Sequence, residues 1–314
     1  MLDSPGDSLV EILKGPWLDG SKIDCFNLCP QKYYYRYVMH IRPKGGPGSA
    51  LSFGHAIHKA MEVLYGGNPF TMVICPLHGS GHCQFCERSN GFMPAIAGAF
   101  LAAYPEDPED DKDVRTRSRG LEILTAYIRK YRRDVFKTLA VEVPFSIPFS
   151  GFTYVGRIDL IGQWENEEIR PVDHKHTTRF GEMFNEQFHL SGAITGYIRT
   201  THLLTRASGA PPVTRAMING LRVTTRIQDE SFARPVTSRT PEEIAQWEDA
   251  VQRTHDRIQT MHNNEYWPRH APFACWAYNK RCEYWSLCTN SRQTAKDIID
   301  GDFEVVEWSP FDEI

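Results

Sequence analysis

The sequence contains no long apolar run and carries no strong excess of charge of either sign. None of its hydrophobic stretches approaches the roughly 20 residues that a helix needs to span a bilayer. Its first residues, MLDSPGDSLVEIL, lack the basic start and apolar stretch of a signal peptide. A formal net charge of −4 argues against a protein that coats nucleic acid through bulk positive charge. These absences predict a cytoplasmic protein with no membrane segment.

The distribution of apolar residues predicts an α/β fold. Apolar residues at helical spacing occur in four segments of the first half, 21–40, 52–65, 95–104 and 119–136. Three stretches rich in β-branched and aromatic residues follow, LAVEVPFSIPF, FTYVGRIDLIGQW and EEIRPVDHKHT, and turn signals between them predict an antiparallel meander. The remaining predicted elements are a helix at 190–205, a strand at 213–225 and a helix at 240–262, before an irregular tail from about 270. This order predicts a central mixed β-sheet flanked by helices, in a single domain spanning residues 1–314.

The eight cysteines fall into three groups. The groups are Cys25 and Cys29; Cys75, Cys83 and Cys86; and Cys275, Cys282 and Cys288. Structural disulfides are rare in a reducing compartment, and clustered spacing in such a compartment favours metal binding. The cysteines are therefore candidate metal ligands.

Acidic and basic residues interrupt two neighbouring predicted strands. Asp159 lies mid-strand in GRIDLIG, where burial is costly unless the carboxylate is solvated, paired or bound to a cation. Asp173 and Lys175 lie in VDHK at the end of the next strand, and the two-residue period of a strand puts them on one face. Two carboxylates and an ammonium on one sheet face suit phosphodiester hydrolysis, because carboxylates hold a hard cation and the ammonium can stabilise the transition state. The alternative is a surface ion-pair cluster.

Four separated segments together resemble the RecB-like branch of the PD-(D/E)XK nuclease superfamily, which includes AddB, CRISPR-associated nucleases and many phage enzymes. They are CPQKYYYRYV, GHAIH, GRIDLIG and VDHKHT, in the order that this family has them. The resemblance covers most of residues 20–290. It implies a DNA nuclease, with expected settings in recombination, repair or phage DNA processing and a helicase or recombination protein as an expected partner.

The resemblance also implies roles for individual residues. It assigns catalysis to Asp159, Asp173 and Lys175, with Glu142 in VEVPF as an assisting acid. It assigns Mg²⁺ or Mn²⁺ binding to His58, Asp159, Asp173 and the backbone carbonyl of His174. His55 competes with His58 for the histidine position, because it lies one helical turn earlier on nearly the same face.

Two positions depart from the family pattern. The family often has Gln-x-x-x-Tyr on the helix after the lysine, whereas here Ala193 stands four residues before Tyr197, the expected DNA-contacting tyrosine. The threonine that usually follows the lysine is displaced, because His176 stands between Lys175 and Thr177. The first departure puts the DNA contacts of that helix in doubt, while the expected metal site is unaffected.

The C-terminal cysteines resemble those of the iron–sulfur members of the same branch. Cys275, Cys282 and Cys288 have the spacing C-x6-C-x5-C, wider in its first interval than in some relatives. The resemblance implies a [4Fe–4S] cluster on these three thiolates and Cys29, with Cys25 as the competing fourth ligand. Such a cluster would join the N- and C-terminal segments, at residues 270–290. Zinc at the same cysteines and three buried free thiols are the alternatives.

The middle cysteines lie in a Gly-, Pro-, Cys- and His-rich insert at residues 66–94. The segment CPLHGSGHCQFC offers Cys75, His78, Cys83 and Cys86 as two pairs separated by four residues, which suits tetrahedral zinc. A free loop is the alternative.

For the whole chain, the sequence predicts a metal-dependent DNA nuclease, with a catalytically silent DNA-end-binding or scaffold subunit as the alternative function.

Overall fold

The computed structural model describes residues 15–46, 48–66, 74–75, 79–82, 93–110, 112–131, 136–270, 273–277, 280–307, 309 and 311. The chain divides into two compact units. We call residues 47–143 and 157–240 the central unit, and residues 1–46, 144–156 and 241–313 the terminal unit. Strands β5 (Phe136–Phe149) and β6 (Phe152–Trp164) run through both.

The other strands and the helices of the sheet-forming region follow the predicted order. The helices are α3 (Ser49–Gly66), α4 (Met93–Ala103), α5 (Arg117–Lys130), α6 (Glu182–Glu186) and α7 (Gly192–Thr205). The strands are β7 (Ile169–Thr177), β8 (Arg215–Arg222), β9 (Phe232–Ala233) and β10 (Val236–Ser238), with β3 (Ile74–Cys75) and β4 (Gly79–His82) in the insert.

The main sheet is mixed. Strands β5, β6 and β7 form the predicted antiparallel meander, and β8 lies parallel to β7. Helix α7 makes the crossover between β7 and β8, as a parallel connection requires. Strands β9 and β10 pair antiparallel with β8. The predicted α/β class with a central mixed sheet flanked by helices is confirmed.

The core of the central unit lies between helices α3, α4 and α5 and the strands. On α3 the buried side chains Phe53, Ile57, Met61 and Leu64 recur at three- and four-residue intervals, which gives one continuous apolar face. This face belongs to a cluster that includes Leu160 of β6 and other strand residues. Packing of α3 against the sheet therefore brings the polar side of the helix, which carries His58, to Asp159 in the middle of β6.

The terminal unit differs from the prediction in two respects. The helix predicted at 21–40 is broken into α1 (Gly20–Leu28) and α2 (Pro30–Tyr33), which continues as a π-helical turn to Val38. Cys29 between them is extended, because a proline at the next position disfavours helical geometry. The tail is not irregular: it forms α9 (Trp285–Thr289) and α10 (Arg292–Asp302), after the long helix α8 (Pro241–Asn263).

The two ends of the chain meet within the terminal unit. Strand β2 (Ile41–Pro43) pairs antiparallel with β13 (Phe303–Val305), and β1 (Trp17–Leu18) pairs with the start of β6. Ile41, Tyr284, Leu287 and Phe303 form a small buried core, and the Tyr284 hydroxyl donates to the Ile41 carbonyl. No helix in the described part of the chain has the length and apolar character needed to cross a membrane.

Candidate metal-dependent active site

His58 and Asp159 are brought together by the packing of α3 on the sheet. The Nδ1 atom of His58 lies 3.5 Å from Oδ2 of Asp159. The same carboxylate oxygen accepts a hydrogen bond of 2.7 Å from the backbone N–H of His174, on the neighbouring strand. Burial opposes charge on both side chains, yet the attraction between them outweighs it. The pKa of His58 is raised, and the pKa of Asp159 is held well below its usual range.

Glu142 reaches this pair through a break in the alternation of β5. Its φ of 47° lies in the left-handed region, which is uncommon for a residue other than glycine. Phe136 before the break and Phe145 and Ile147 after it are buried, so the inward-facing positions change from even to odd numbers. This one-residue shift is what a β-bulge produces. Burial and the neighbouring Asp159 charge raise the pKa of Glu142 to about 6.

The side chains of His58, Glu142 and Asp159 form a candidate metal site. One ligand atom from each lies within 4.8 Å of the other two. One imidazole nitrogen and two carboxylate oxygens suit a divalent cation such as Mg²⁺ or Mn²⁺. His58 is the histidine of this group, and its role as a metal ligand stays a prediction.

Asp173 and Lys175 form an ion pair beside this group. The Lys175 ammonium lies 2.9 Å from each carboxylate oxygen of Asp173 and donates a hydrogen bond to Oδ1. Oδ2 of Asp173 is buried and accepts no hydrogen bond of suitable geometry, although the Lys175 ammonium lies 2.9 Å from it. Burial raises the pKa of Asp173. Burial also opposes the charge on Lys175, but Asp173 and Asp159 outweigh it and raise the lysine pKa.

The two residues of the pair differ in exposure. The Asp173 side chain is 3% exposed, whereas that of Lys175 is 45% exposed. The carboxylate is therefore enclosed by the protein, while the lysine side chain is partly open to solvent, where a substrate could approach. The expectation that Asp173 and Lys175 share one face agrees with their contact.

His174 stands between Asp173 and Lys175 in the sequence, and its imidazole ring lies in a buried polar network. Asn219 of β8 donates from Nδ2 to Nδ1 of His174, and its Oδ1 accepts from Tyr127 and Arg234. Because arginine only donates, the Asn219 amide has one orientation, and His174 must present an unprotonated Nδ1. Burial lowers the His174 pKa to about 3, so the ring is neutral. Tyr65 stacks on the ring and completes the packing.

Neither Asn219 nor Arg234 was predicted from the sequence. For Asn219 a signal was present, because it is a polar residue within the apolar strand RAMINGLR. In the structure Asn219 is buried, with 1% exposure. Arg234 gave no local signal, because its contacts with Tyr65, Tyr127 and Asn219 arise only from the tertiary fold.

His176, which stands in place of the family's threonine, packs against Gly54 of the GHAIH segment. A Cβ atom at Gly54 would overlap the His176 imidazole. The ring Nε2 donates to the Ala50 carbonyl at 2.8 Å, because a carbonyl oxygen can only accept. His176 thus connects the end of β7 to the first turns of α3, the helix that carries His58.

Tyr197 lies half-buried on α7. Its DNA-contacting role stays a prediction.

Five cysteines lie in the terminal unit. Cys288 is close enough to Cys29 and Cys282 for their thiolate charge to act on it, although burial is the larger cause of its raised pKa. Cys275 acts on Cys282 in the same way, and the Cys282 N–H donates to the Cys275 carbonyl. Cys25 is close to Cys29, and burial raises the Cys25 pKa to about 11. The segments near residue 29 and residues 275–288 therefore meet.

The middle cysteine group is described only in part. The backbone of Cys75 lies in β3, which pairs with β4. His78, Cys83 and Cys86 lie outside the described residues.

The family of this chain follows from comparison with known proteins. The model of the PD-(D/E)XK nuclease superfamily matches residues 20–289, and the chain belongs to this superfamily. Members use divalent metals, which agrees with the candidate site. The superfamily hydrolyses phosphodiester bonds, so the Asp159, Asp173 and Lys175 constellation lies in a nuclease framework.

Two solved structures are similar to this chain at low identity. One is a protein from Eubacterium rectale called "Putative exonuclease", with 12% identity, a TM-score of 0.49 and coverage of 92% of each chain. The other is the protein called SSO0001, with 12% identity, a TM-score of 0.29 and coverage of 73% of this chain and 84% of that one. A search among curated proteins gave no match.

Proposed function

We propose that this protein is a Mg²⁺- or Mn²⁺-dependent DNA nuclease of the RecB-like branch. The observation that carries the proposal is the convergence of His58, Glu142 and Asp159 beside the Asp173–Lys175 pair. A surface ion-pair cluster would not need a partly buried histidine and a partly buried acid that accepts a hydrogen bond from the next strand.

The side chains have separate tasks in this proposal. His58, Asp159, Asp173 and the His174 carbonyl hold the divalent ion, and Glu142 assists. When bound, the ion lowers the pKa of a coordinated water and neutralises charge on the phosphate. The His174 N–H fixes the Asp159 carboxylate, and the Asp173 carboxylate is held by its ion pair with Lys175.

Lys175 acts on the reacting phosphate. Its ammonium stays protonated, since neighbouring carboxylates raise its pKa, and its exposure lets it contact a substrate. In that position it donates to the attacking water or to a phosphate oxygen as negative charge develops there.

The substrate we propose is DNA, cut from ends or in single strands. Contacts to phosphates, including one from Tyr197, would position the strand and give little sequence preference. The role fits recombination, repair or phage DNA processing, with a helicase or recombination protein as partner.

The decisive experiment uses DNA labelled at the 5′ or the 3′ end, in single- and double-stranded form, with Mg²⁺, Mn²⁺ or a chelator. Wild-type protein should degrade DNA only with metal, and the two labels give the polarity. Asp159→Asn and Asp173→Asn should abolish cleavage, whereas Asp249→Asn, an exposed aspartate on α8, should not. Near-wild-type cleavage by either active-site variant would disprove the assignment. Wild-type protein that binds DNA ends without cutting them would instead support the silent subunit.

We further propose a [4Fe–4S] cluster in the terminal unit, held by Cys29, Cys275, Cys282 and Cys288. The Cys29 thiolate charge is among the influences that raise the Cys288 pKa, which favours Cys29 over Cys25 as the fourth ligand. The hydrogen bond from the Cys282 N–H to the Cys275 carbonyl keeps these two cysteines close together. For the insert, we keep the proposal of zinc on Cys75, His78, Cys83 and Cys86.

A further inference from the structure

The described residues between Cys275 and Cys282 form two short strands of a small hairpin. Strand β11 (Trp276–Ala277) pairs antiparallel with β12 (Lys280–Arg281), and Trp276 stands opposite Arg281. The hydrogen bond from the Cys282 N–H to the Cys275 carbonyl closes the base of this hairpin. The wide C-x6-C spacing therefore makes room for a structural element that a shorter spacing would not allow.

The hairpin presents aromatic rings to solvent. Trp276 is 50% exposed, and Phe273, three residues earlier, is 88% exposed. The Arg281 guanidinium lies 5.4 Å from the ring centroid of Trp276 and 5.8 Å from that of Trp285, and the two rings are 5.5 Å apart. These distances are within the cation–π range, so arginine and indoles hold one another in place. We call Phe273, Trp276, Lys280, Arg281 and Trp285 the hairpin surface.

The hairpin surface is positively charged in a chain whose net charge is −4. Lys280 and Arg281 are exposed and adjacent. The neighbouring acid, Glu283, is already paired with both Lys32 and Arg36. Exposed rings beside uncompensated cations match the chemistry of an unpaired nucleic-acid strand, which offers flat bases and phosphates together.

We propose that the hairpin surface binds single-stranded DNA, with a base stacked on Trp276 and phosphates held by Lys280 and Arg281. The proposal rests on the proposed nuclease function and names the strand form that this protein holds. Duplex DNA fits less well, because its bases are already stacked on one another and cannot cover an exposed ring.

The test measures binding of a fluorescent single-stranded oligonucleotide in chelator, where no cleavage occurs. Trp276→Ala should weaken binding by about fivefold to a hundredfold, the usual effect of removing one stacking ring, and Trp276→Phe should restore most of the affinity. Arg281→Ala should reduce the salt dependence by about 0.7 in slope, the value for one lost phosphate contact on a single strand. Arg253→Ala, which removes an exposed arginine of α8, and Tyr266→Ala, which removes an exposed ring, are the matched controls and should bind normally.

An oligonucleotide with abasic sites separates stacking from charge. Loss of its bases should weaken binding to wild-type protein, and Trp276→Ala should be almost insensitive to that loss. Unchanged thermal unfolding and iron content of the variants would show that fold and cysteine site are intact. Equal single-strand affinity of Trp276→Ala and wild-type protein would overturn the proposal and leave the surface to a protein partner. Metal-dependent cleavage is measured separately, so its loss or survival reports on the nuclease proposal alone.

Discussion

At the scale of single residues, Asp173 and Lys175 lie on the same strand but differ in their exposure to solvent. The Asp173 side chain is buried and the Lys175 side chain is 45% exposed, although they are two residues apart and in contact. Lys175 can therefore contact a substrate, while the buried Asp173 carboxylate keeps its position.

Substitution of Lys175 should affect turnover more than binding. In Lys175→Met the transition state loses a donor, whereas metal ligands and phosphate contacts remain. We expect kcat to fall about 100- to 1,000-fold, with DNA affinity changed only slightly. Single-turnover cleavage and equilibrium binding measure the two quantities. Lys296→Met, which replaces an exposed lysine of α10, is the control. A loss of affinity that accounts for the whole loss of activity would contradict the assigned role.

Metal affinity should fall as the pH is lowered. The pKa of Glu142 is raised to about 6, and the pKa of His58 is also raised. A cation binds the deprotonated carboxylate and the neutral imidazole, so protons compete with it below these pKa values. The dissociation constant for Mn²⁺, measured by electron paramagnetic resonance without DNA, should rise as the pH falls from 8 to 5.5. Glu142→Gln should flatten the profile near pH 6, and a wild-type constant independent of pH would exclude these groups as ligands.

At the scale of elements, the site depends on contacts that fix the positions of α3, β7 and β8 relative to one another. Asn219 joins β8 to the His174 ring of β7, and His176 joins β7 to Gly54 of α3. His58 stands on α3, and Asp173 and Lys175 stand on β7, so small shifts between these elements would change the site.

Replacement of Gly54 tests the contact between α3 and β7. Because a Cβ at Gly54 would overlap the His176 ring, Gly54→Ala should lower the free energy of unfolding by about 1–3 kcal/mol. Gly98→Ala on α4, where nothing lies near the added atom, should instead raise it by up to about 1 kcal/mol through helix propensity. Urea unfolding provides both values.

The pairing of Gly54 with His176 can be checked by a double-mutant cycle. In a His176→Ala background the overlap disappears, so Gly54→Ala should cost at least about 1 kcal/mol less than in wild-type protein. Additive effects of the two substitutions would show that the ring is not what requires glycine.

At the scale of the whole molecule, the terminal unit is built from both ends of the chain. Strand pairing between β2 and β13 and the buried Tyr284 already join them without any metal. A cluster on Cys29 and the three C-terminal cysteines would add a second junction at the same place.

Loss of the proposed cluster should destabilise the terminal unit rather than one loop, because metal-bound thiolates stabilise only the folded state. Anaerobically purified protein should be brown and contain iron and sulfide, whereas Cys282→Ser should be colourless and less soluble. Cys29→Ser should also lose the colour, and Cys25→Ser should keep it. Iron-free wild-type protein with zinc at these cysteines would replace the cluster by a zinc site.

The sequence by itself determined what depends on neighbouring residues. The period of the strands placed Asp173 and Lys175 on one face, and the alternation of helices and strands predicted the mixed sheet. The motif order identified the superfamily, which the family comparison confirmed. Propensity and periodicity are local properties, so they are visible in the chain alone.

Only the tertiary structure decided how distant residues meet. The bulge that brings Glu142 to the site shifts the strand by one residue, and no local pattern marks its position. The Asn219–Arg234 network, the contact of His176 with Gly54 and the Trp276–Arg281–Trp285 stack join residues through packing. The helices α9 and α10 were not predicted, because much of their buried surface packs against the segment of the same chain near residue 41. Such contacts depend on which surfaces pack against each other in the folded chain. The spacing of residues in the sequence does not show which surfaces these are.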